Sequence, residues 1–351
     1  MKRKHGMRTA ILLILMSLIL SAAEAGTAAG KSTADPQTDP EMTVEAETPA
    51  GNGSIAADEK TNAGAESETA AQKATGAAKK EIRTGFQVIN GKTYYYSKKG
   101  KRVKSKWITV GKGKKKKQYY FNKKGVMLTG KVKTKKVMYY FREDGVLDHT
   151  IDRTKKMIAL TYDDGPSLYT PIIVKALKKA GGRATFFVVG ERVSTYKKQL
   201  KQAFDTGCEI GNHSWDHSYL TSLSSASLLR QIERTNEAVE KVTGKTPVIL
   251  RPPYGSVNST VRSYAGMPLI LWNEDTLDWK TRNTYSTISE VKRCASDGDI
   301  ILMHDIHKPT ANAAAEIIQW LTSEGYQLVT VSELADCRGK MKDGEKYYQF
   351  R

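Results

Sequence analysis

Met157-Ile158-Ala159-Leu160-Thr161-Tyr162-Asp163-Asp164-Gly165-Pro166 is an apolar run that ends in two carboxylates and a turn. An apolar run of this length bounded by Asp-Gly-Pro reads as a buried strand. Similar runs recur downstream at Ala184 to Val189, Glu209 to Asn212, Val248 to Arg251, Leu269 to Trp272, Ile300 to Met303 and Gln327 to Thr330. Between them lie amphipathic stretches such as Pro171 to Lys179, Ala226 to Val242 and Ala311 to Ser323, each with helical spacing of its apolar residues. About seven strands separated by helices predict an α/β fold with a parallel sheet closed into a barrel, and sites in such folds gather at the carboxyl ends of the strands.

The polar residues cluster at those strand ends. Asp163 and Asp164 follow the first strand, and there one carboxylate can bind a cation while the other takes a proton. His213-Ser214-Trp215-Asp216-His217 follows the third; a His pair at i and i+4 on one side of a helical turn can share a divalent metal. Arg251-Pro252-Pro253-Tyr254-Gly255 follows the fourth, and its prolines restrict the backbone that carries Arg251 and Tyr254. Asp275-Thr276-Leu277-Asp278-Trp279 follows the fifth and Leu302-Met303-His304-Asp305 ends the sixth, so that Asp278 is available to orient His304. Taken singly, each motif has an ordinary reading: a solvated turn, a core histidine, a surface arginine. Five of them at five strand ends make coincidence hard to sustain.

In order and spacing these residues resemble the polysaccharide deacetylases, the NodB-homology domain of carbohydrate esterase family 4. The resemblance implies a distorted (β/α) barrel and an amide hydrolysis dependent on a divalent metal, zinc first, with cobalt or nickel as alternatives. By the same resemblance Asp163 matches the catalytic base, Asp164, His213 and His217 the metal ligands, and Arg251 the residue that orients the base. Tyr254 matches the residue whose backbone amide holds the oxyanion, Asp278 the partner of the acid, His304 the acid, and Trp279 and Leu302 the walls of the acetyl pocket. The expected substrate is peptidoglycan N-acetylglucosamine. Chitin oligosaccharide, poly-N-acetylglucosamine, O-acetyl xylan and wall binding without turnover are the alternatives.

The chain has 351 residues, of which 39% are apolar, room for about two domains. Met1 to Arg8 carry four Lys or Arg, an apolar run from Ala10 to Leu20 follows, and small residues end at Ala25. That order predicts a signal peptide over 1–25, with an uncleaved membrane anchor as the alternative, and hence a secreted, wall-associated protein. Residues 26–80, rich in Ala, Thr, Glu and Gly, lack the apolar residues for a core and read as a disordered linker. Over 81–149, aromatic triplets begin at Tyr94, Tyr119 and Tyr139 between glycine turns, which predicts β-hairpin repeats that must stack on one another. These resemble the choline- and glucan-binding repeats of bacterial wall-binding modules, departing from them in having only Trp107. The deacetylase domain is expected over 150–337 and a C-terminal tail over 338–351.

Charge is concentrated rather than spread. Residues 82–150 hold 20 Lys or Arg against Glu143, Asp144 and Asp148, a net +17 of the chain's +19. In an exported protein such a segment points to anionic cell-wall polymers rather than nucleic acid. A main role in polyanion binding is a further reading. Cys208, Cys294 and Cys337 imply no disulfide framework, and a monomer is expected.

Overall fold

In a computed structural model, residues 82–351 are described. The expected signal peptide and linker lie outside the described residues.

The aromatic triplets each lie on a short strand. β1 (Gly85–Ile89) pairs antiparallel with β2 (Lys92–Tyr96), β3 (Lys106–Val110) with β4 (Lys117–Phe121), and β5 (Gly130–Lys133), β6 (Val137–Phe141) and β7 (Leu147–Asp152) form a three-stranded sheet. The β1–β2 turn is Asn90-Gly91, both at positive φ, the conformation that a two-residue hairpin requires. Each unit is too small to bury its own aromatics, so they pack on those of the next. Phe86 of β1 lies 4.9 Å from Tyr119 of β4, and Trp107 of β3 lies 5.8 Å from Phe141 of β6. The tyrosines are therefore largely hairpin core, with Tyr96, Tyr119, Tyr120 and Tyr139 buried. The third sheet continues into the barrel, for Met138 and Ile151 share a core with Met157, Ala159 and Phe187.

The elements of the expected barrel, a parallel sheet with helices, follow in order: β8 (Met157–Gly165), α1 (Thr170–Ala180), β9 (Thr185–Val188), α2 (Gly190–Val193), α3 (Lys197–Asp205), β10 (Glu209–Asn212), α4 (Ser225–Thr243) and α5 (Ser259–Tyr264). Then come β11 (Leu269–Ile270), β12 (Glu274–Asp275), α6 (Asp278–Thr281), α7 (Thr284–Cys294), β13 (Ile300–His304), α8 (Lys308–Ser323), β14 (Gln327–Leu328), α9 (Val331–Arg338) and β15 (Lys346–Tyr347). The main sheet runs β10-β9-β8-β13-β12, all parallel, and β14 also pairs with β8. Central β8 is buried along its length, as its unbroken apolar run requires of a strand covered on both faces. Helices cover the outside with amphipathic spacing, as in Ile173, Val174 and Leu177 of α1 and Leu228, Ile232 and Val239 of α4.

Of the expected strands, Leu269 to Trp272 keeps only β11 and Gln327 to Thr330 only β14, β12 was not expected, and the stretch before the Arg251 motif is reduced furthest. From Val248 to Arg251 only Leu250 pairs, bridging to Asn212 on one side and Leu269 on the other. Pro247, Pro252 and Pro253 flank it without an N–H to donate, which limits the ladder to that point. Residues 338–351 pack on the barrel: β15 pairs with β11, and Phe350 is buried in the core with Ile270 and Ile300. The three cysteines are free thiols.

Candidate active site

The two acids of β8 reach one basin through a bulge. Regular pleating would send Asp163 and Asp164 to opposite faces. The β8–β9 register instead shifts between Asp163 and Gly165, and Asp164 is the extra residue, at φ 70°. Both carboxylates consequently approach one imidazole: His213 Nε2 lies 3.6 Å from Asp163 Oδ2 and 3.5 Å from Asp164 Oδ1. Behind the bulge the chain passes close to the buried Asp305, whose carboxylate a Cβ at Gly165 would strike.

The His pair converges, though not on a helical turn as its spacing suggested. Ser214 and His217 both adopt positive φ, and the segment is a loop after β10. Side chains shape it: Asn212 Oδ1 accepts from Ser214 N at 2.8 Å and Ser214 Oγ from His217 N at 3.0 Å. His213 Nδ1 donates to the Arg251 carbonyl at 2.6 Å, which leaves Nε2 with its lone pair toward the acids. His217 Nδ1 pairs with the Tyr254 hydroxyl at 3.1 Å, and its Nε2 lies 3.2 Å from Asp164 Oδ1.

Asp164, His213 and His217 offer ligand atoms that all lie within 4.8 Å of one another. Asp164 Oδ1 is buried and takes no hydrogen bond, an orphan that a cation would satisfy. Burial alone would raise this carboxyl, yet the two imidazoles hold it well below the usual carboxylate range. One carboxylate and two imidazoles fit a divalent ion with positions left open.

Arg251 is fully buried and each of its three nitrogens donates: Nε to Ile270 O at 3.1 Å, Nη2 to Leu271 O at 3.0 Å, Nη1 to Thr161 Oγ1 at 2.7 Å and Asp163 Oδ1 at 2.8 Å. Asp163 is thus clamped through Oδ1, with Oδ2 toward the basin. Opposite it in the parallel register stands His304 of β13. His304 Nδ1 donates to Asp278 Oδ1 at 2.8 Å, while Asp278 Oδ2 accepts from His304 N at 2.8 Å and Thr310 Oγ1 at 2.6 Å. Burial would lower the imidazole, but the Asp278 carboxylate more than offsets it and lifts His304 to about 9.

Leu302 is buried on β13, whereas Trp279 is 46% exposed, its Nε1 donating to Asp275 Oδ2 at 3.3 Å. Tyr254 is half exposed at φ 61°, beside His217. Sequence reasoning missed Thr161, Thr310 and Asp275, which anchor Arg251, Asp278 and Trp279. Thr161 and Asp275 lay inside quoted motifs without being given a role, and Thr310 lay outside every motif.

Residues 150–267 match the polysaccharide deacetylase family. The chain is 48% identical over 181 residues to peptidoglycan-N-acetylmuramic acid deacetylase PdaC of Bacillus subtilis, covering 51% of this chain and 39% of that protein. It is 37% identical over 185 residues to a peptidoglycan-N-acetylglucosamine deacetylase of Bacillus cereus, covering 50% of this chain and 86% of that one. A solved structure of the B. subtilis PdaC deacetylase aligns with a TM-score of 0.52 at 47% identity, over 53% of this chain and 93% of that chain. With the B. cereus relative matched across most of its length, the chain belongs to the polysaccharide deacetylase family.

Proposed function

We propose that the protein is an exported, metal-dependent hydrolase that removes acetyl groups from N-acetylated amino sugars of peptidoglycan, N-acetylglucosamine foremost. The observation that carries this reading is the bulge at Asp164, which turns two adjacent carboxylates toward His213, with His217 against Asp164 and His304 beside Asp163 on the neighbouring strand. The names of the B. subtilis and B. cereus relatives support the substrate class.

Asp164, His213 and His217 would hold the ion, zinc first and cobalt or nickel as alternatives. Bound there, it supplies Lewis-acid polarisation of the amide and a lowered pKa for water. Asp163 takes the proton from the attacking water through Oδ2, because Arg251 occupies Oδ1 and fixes the carboxylate's direction. The backbone amide of Tyr254 is a donor for the oxyanion that develops on the carbonyl. His304, kept protonated by Asp278, delivers a proton from Nε2 to the leaving nitrogen, giving acetate and a free amine. Trp279 and Leu302 bound the space for the acetyl methyl. The basic segment 82–150 holds the enzyme against anionic wall polymers.

Acetate release from purified peptidoglycan, chitin oligosaccharides, poly-N-acetylglucosamine and O-acetyl xylan tests the proposal. Peptidoglycan is expected to react fastest. Release from none of them, by protein with its metal bound, rejects the hydrolase.

A further inference from the structure

Next to the metal ligands the protein exposes an aromatic surface that the reaction does not use. The rings of Tyr219 and Tyr254 stack with centroids 3.9 Å apart and planes 16° from parallel. They remain 51% and 55% exposed, although each covers one face of the other. The pair begins at the reaction centre, since the Tyr254 hydroxyl pairs with His217 Nδ1 and the His217 and Tyr254 rings meet edge to face at 4.6 Å. Tyr219 is the layer beyond.

We propose that this stack is a sugar subsite, which takes a pyranose of the substrate chain lying outside the unit that loses its acetyl group. The inference rests on the deacetylase reading and names where the rest of the polymer lies. A flat, uncharged pair of rings with hydroxyls at its edge suits a ligand with an apolar C–H face and polar rim, which is what a pyranose presents, and it offers nothing to an anion. The backbone beneath both rings is already fixed. Tyr219 precedes the buried Leu220, and its carbonyl accepts from Ser222 N at 3.1 Å and Ser222 Oγ at 2.8 Å. Tyr254 sits between Pro253 and Gly255, where Gly255 N closes a turn on Pro252 O at 3.0 Å. Little ordering remains to oppose binding. Continuity with His217 fixes the occupant as the same chain that enters the site.

The competing role is mechanical: Tyr219 would only steady Tyr254 and, through it, His217. Chain length separates the two. The experiment measures KM and kcat for acetate release from N-acetylglucosamine oligomers of two to five units with the wild-type holoenzyme, Tyr219→Ala and Tyr219→Phe. In the wild type, KM is expected to fall by about tenfold at the length that first reaches Tyr219, the scale of one aromatic contact. Tyr219→Ala should lose that step and Tyr219→Phe keep it, with metal affinity, read by competition with a chelating dye, the same in all three. Equal losses at every length, or a drop in metal affinity in Tyr219→Ala, overturn the subsite. Calorimetry of the pentamer on the Asp163→Asn protein, with and without Tyr219→Ala, reads binding without turnover. The calorimetry stands apart from the deacetylase reading: if the wild type releases no acetate from these oligomers, weaker pentamer binding in the double variant still supports the subsite and unchanged affinity rejects it.

Discussion

The hairpin repeats and the barrel bury opposite chemistry. In β2, β4 and β6 the aromatic residues turn inward and the lysines around them face water. At the ends of β8, β10 and β13 and in the loop after Leu250, Asp163, His213 and Arg251 are the buried groups, with Asp278 behind them. Solvent replaces the partner of an exposed charge when one side of a contact is removed. A buried ion pair that loses one member leaves the other without compensation. The repeats should therefore absorb the loss of a single charge, which the barrel does not.

The largest contrast is expected at Asp163. Asp163→Asn should lower kcat by about 10²–10⁴, the usual contribution of a general base, while the protein keeps its metal. Asp164→Asn should lose metal affinity instead. Metal analysis beside acetate release checks both, and the reverse pattern would exchange their roles. Arg251→Leu should destabilise folding by about 3–5 kcal/mol in denaturant titration, as for removing one member of a buried pair. A loss below about 1 kcal/mol would put Arg251 in the same class as the lysines.

Dependence on pH sharpens the comparison. In the proposed role of acid His304 works only while protonated, so turnover should fall as pH rises through its value of about 9. Asp278→Asn removes the carboxylate that raises this value and should move the alkaline limb to lower pH. At the junction of the two regions, His149 Nδ1 and Nε2 lie 2.8 Å from Asp148 Oδ2 and 2.7 Å from Glu333 Oε1. Burial would lower its pKa, but these carboxylates raise it above the unfolded value. Its contribution is then fully present below about 6.5 and is lost as pH rises through the higher folded value. His149→Gln should cost about 2 kcal/mol at pH 5.5, on the scale of hydrogen bonds to a charged group, and progressively less in alkali, as thermal melts across pH would register. The smallest effect belongs to the repeats. Replacing any one of Lys114, Lys115, Lys116 or Lys117 by Ala should weaken wall retention by less than about 1 kcal/mol in a pull-down, whereas replacing all four should weaken it clearly and remove much of its salt sensitivity.

How much of this was legible depends on the range of the interaction. The motifs at Asp163, Asp164, His213 and His304 were readable because they lie at or just beyond the ends of strands expected from the sequence, whereas Arg251 follows the single paired residue Leu250 and Asp278 opens α6, so that only their motifs marked them. The bulge at Asp164 was not readable, since nothing in Asp-Asp-Gly-Pro distinguishes a continued pleat from an inserted residue. Nor was the loop after β10, because i, i+4 spacing describes a helix only if the backbone is helical, and Ser214 and His217 leave that region. Thr161 and Thr310 matter through partners 90 and 32 residues away, and a lone threonine carries no pattern. Tyr219 was hidden for the same reason. Only the fold brings it onto Tyr254.

The position of β8 in the chain also has a bearing on folding kinetics. It is the first barrel strand to be made, yet Thr161 donates to the carbonyl of Ile301, 140 residues downstream, and Met157 and Ile158 pair with β14 later still. Until those segments arrive, the most apolar strand of the barrel has partners on one side at most, and long-range parallel pairing is slow to form. On the proposal that the chain is exported, such a delay is useful, because the core is not completed until nearly all of this domain has been made. The same delay leaves Met157 to Tyr162 exposed to aggregation during expression in the cytoplasm without an export signal, and low yield of soluble protein is the expected sign.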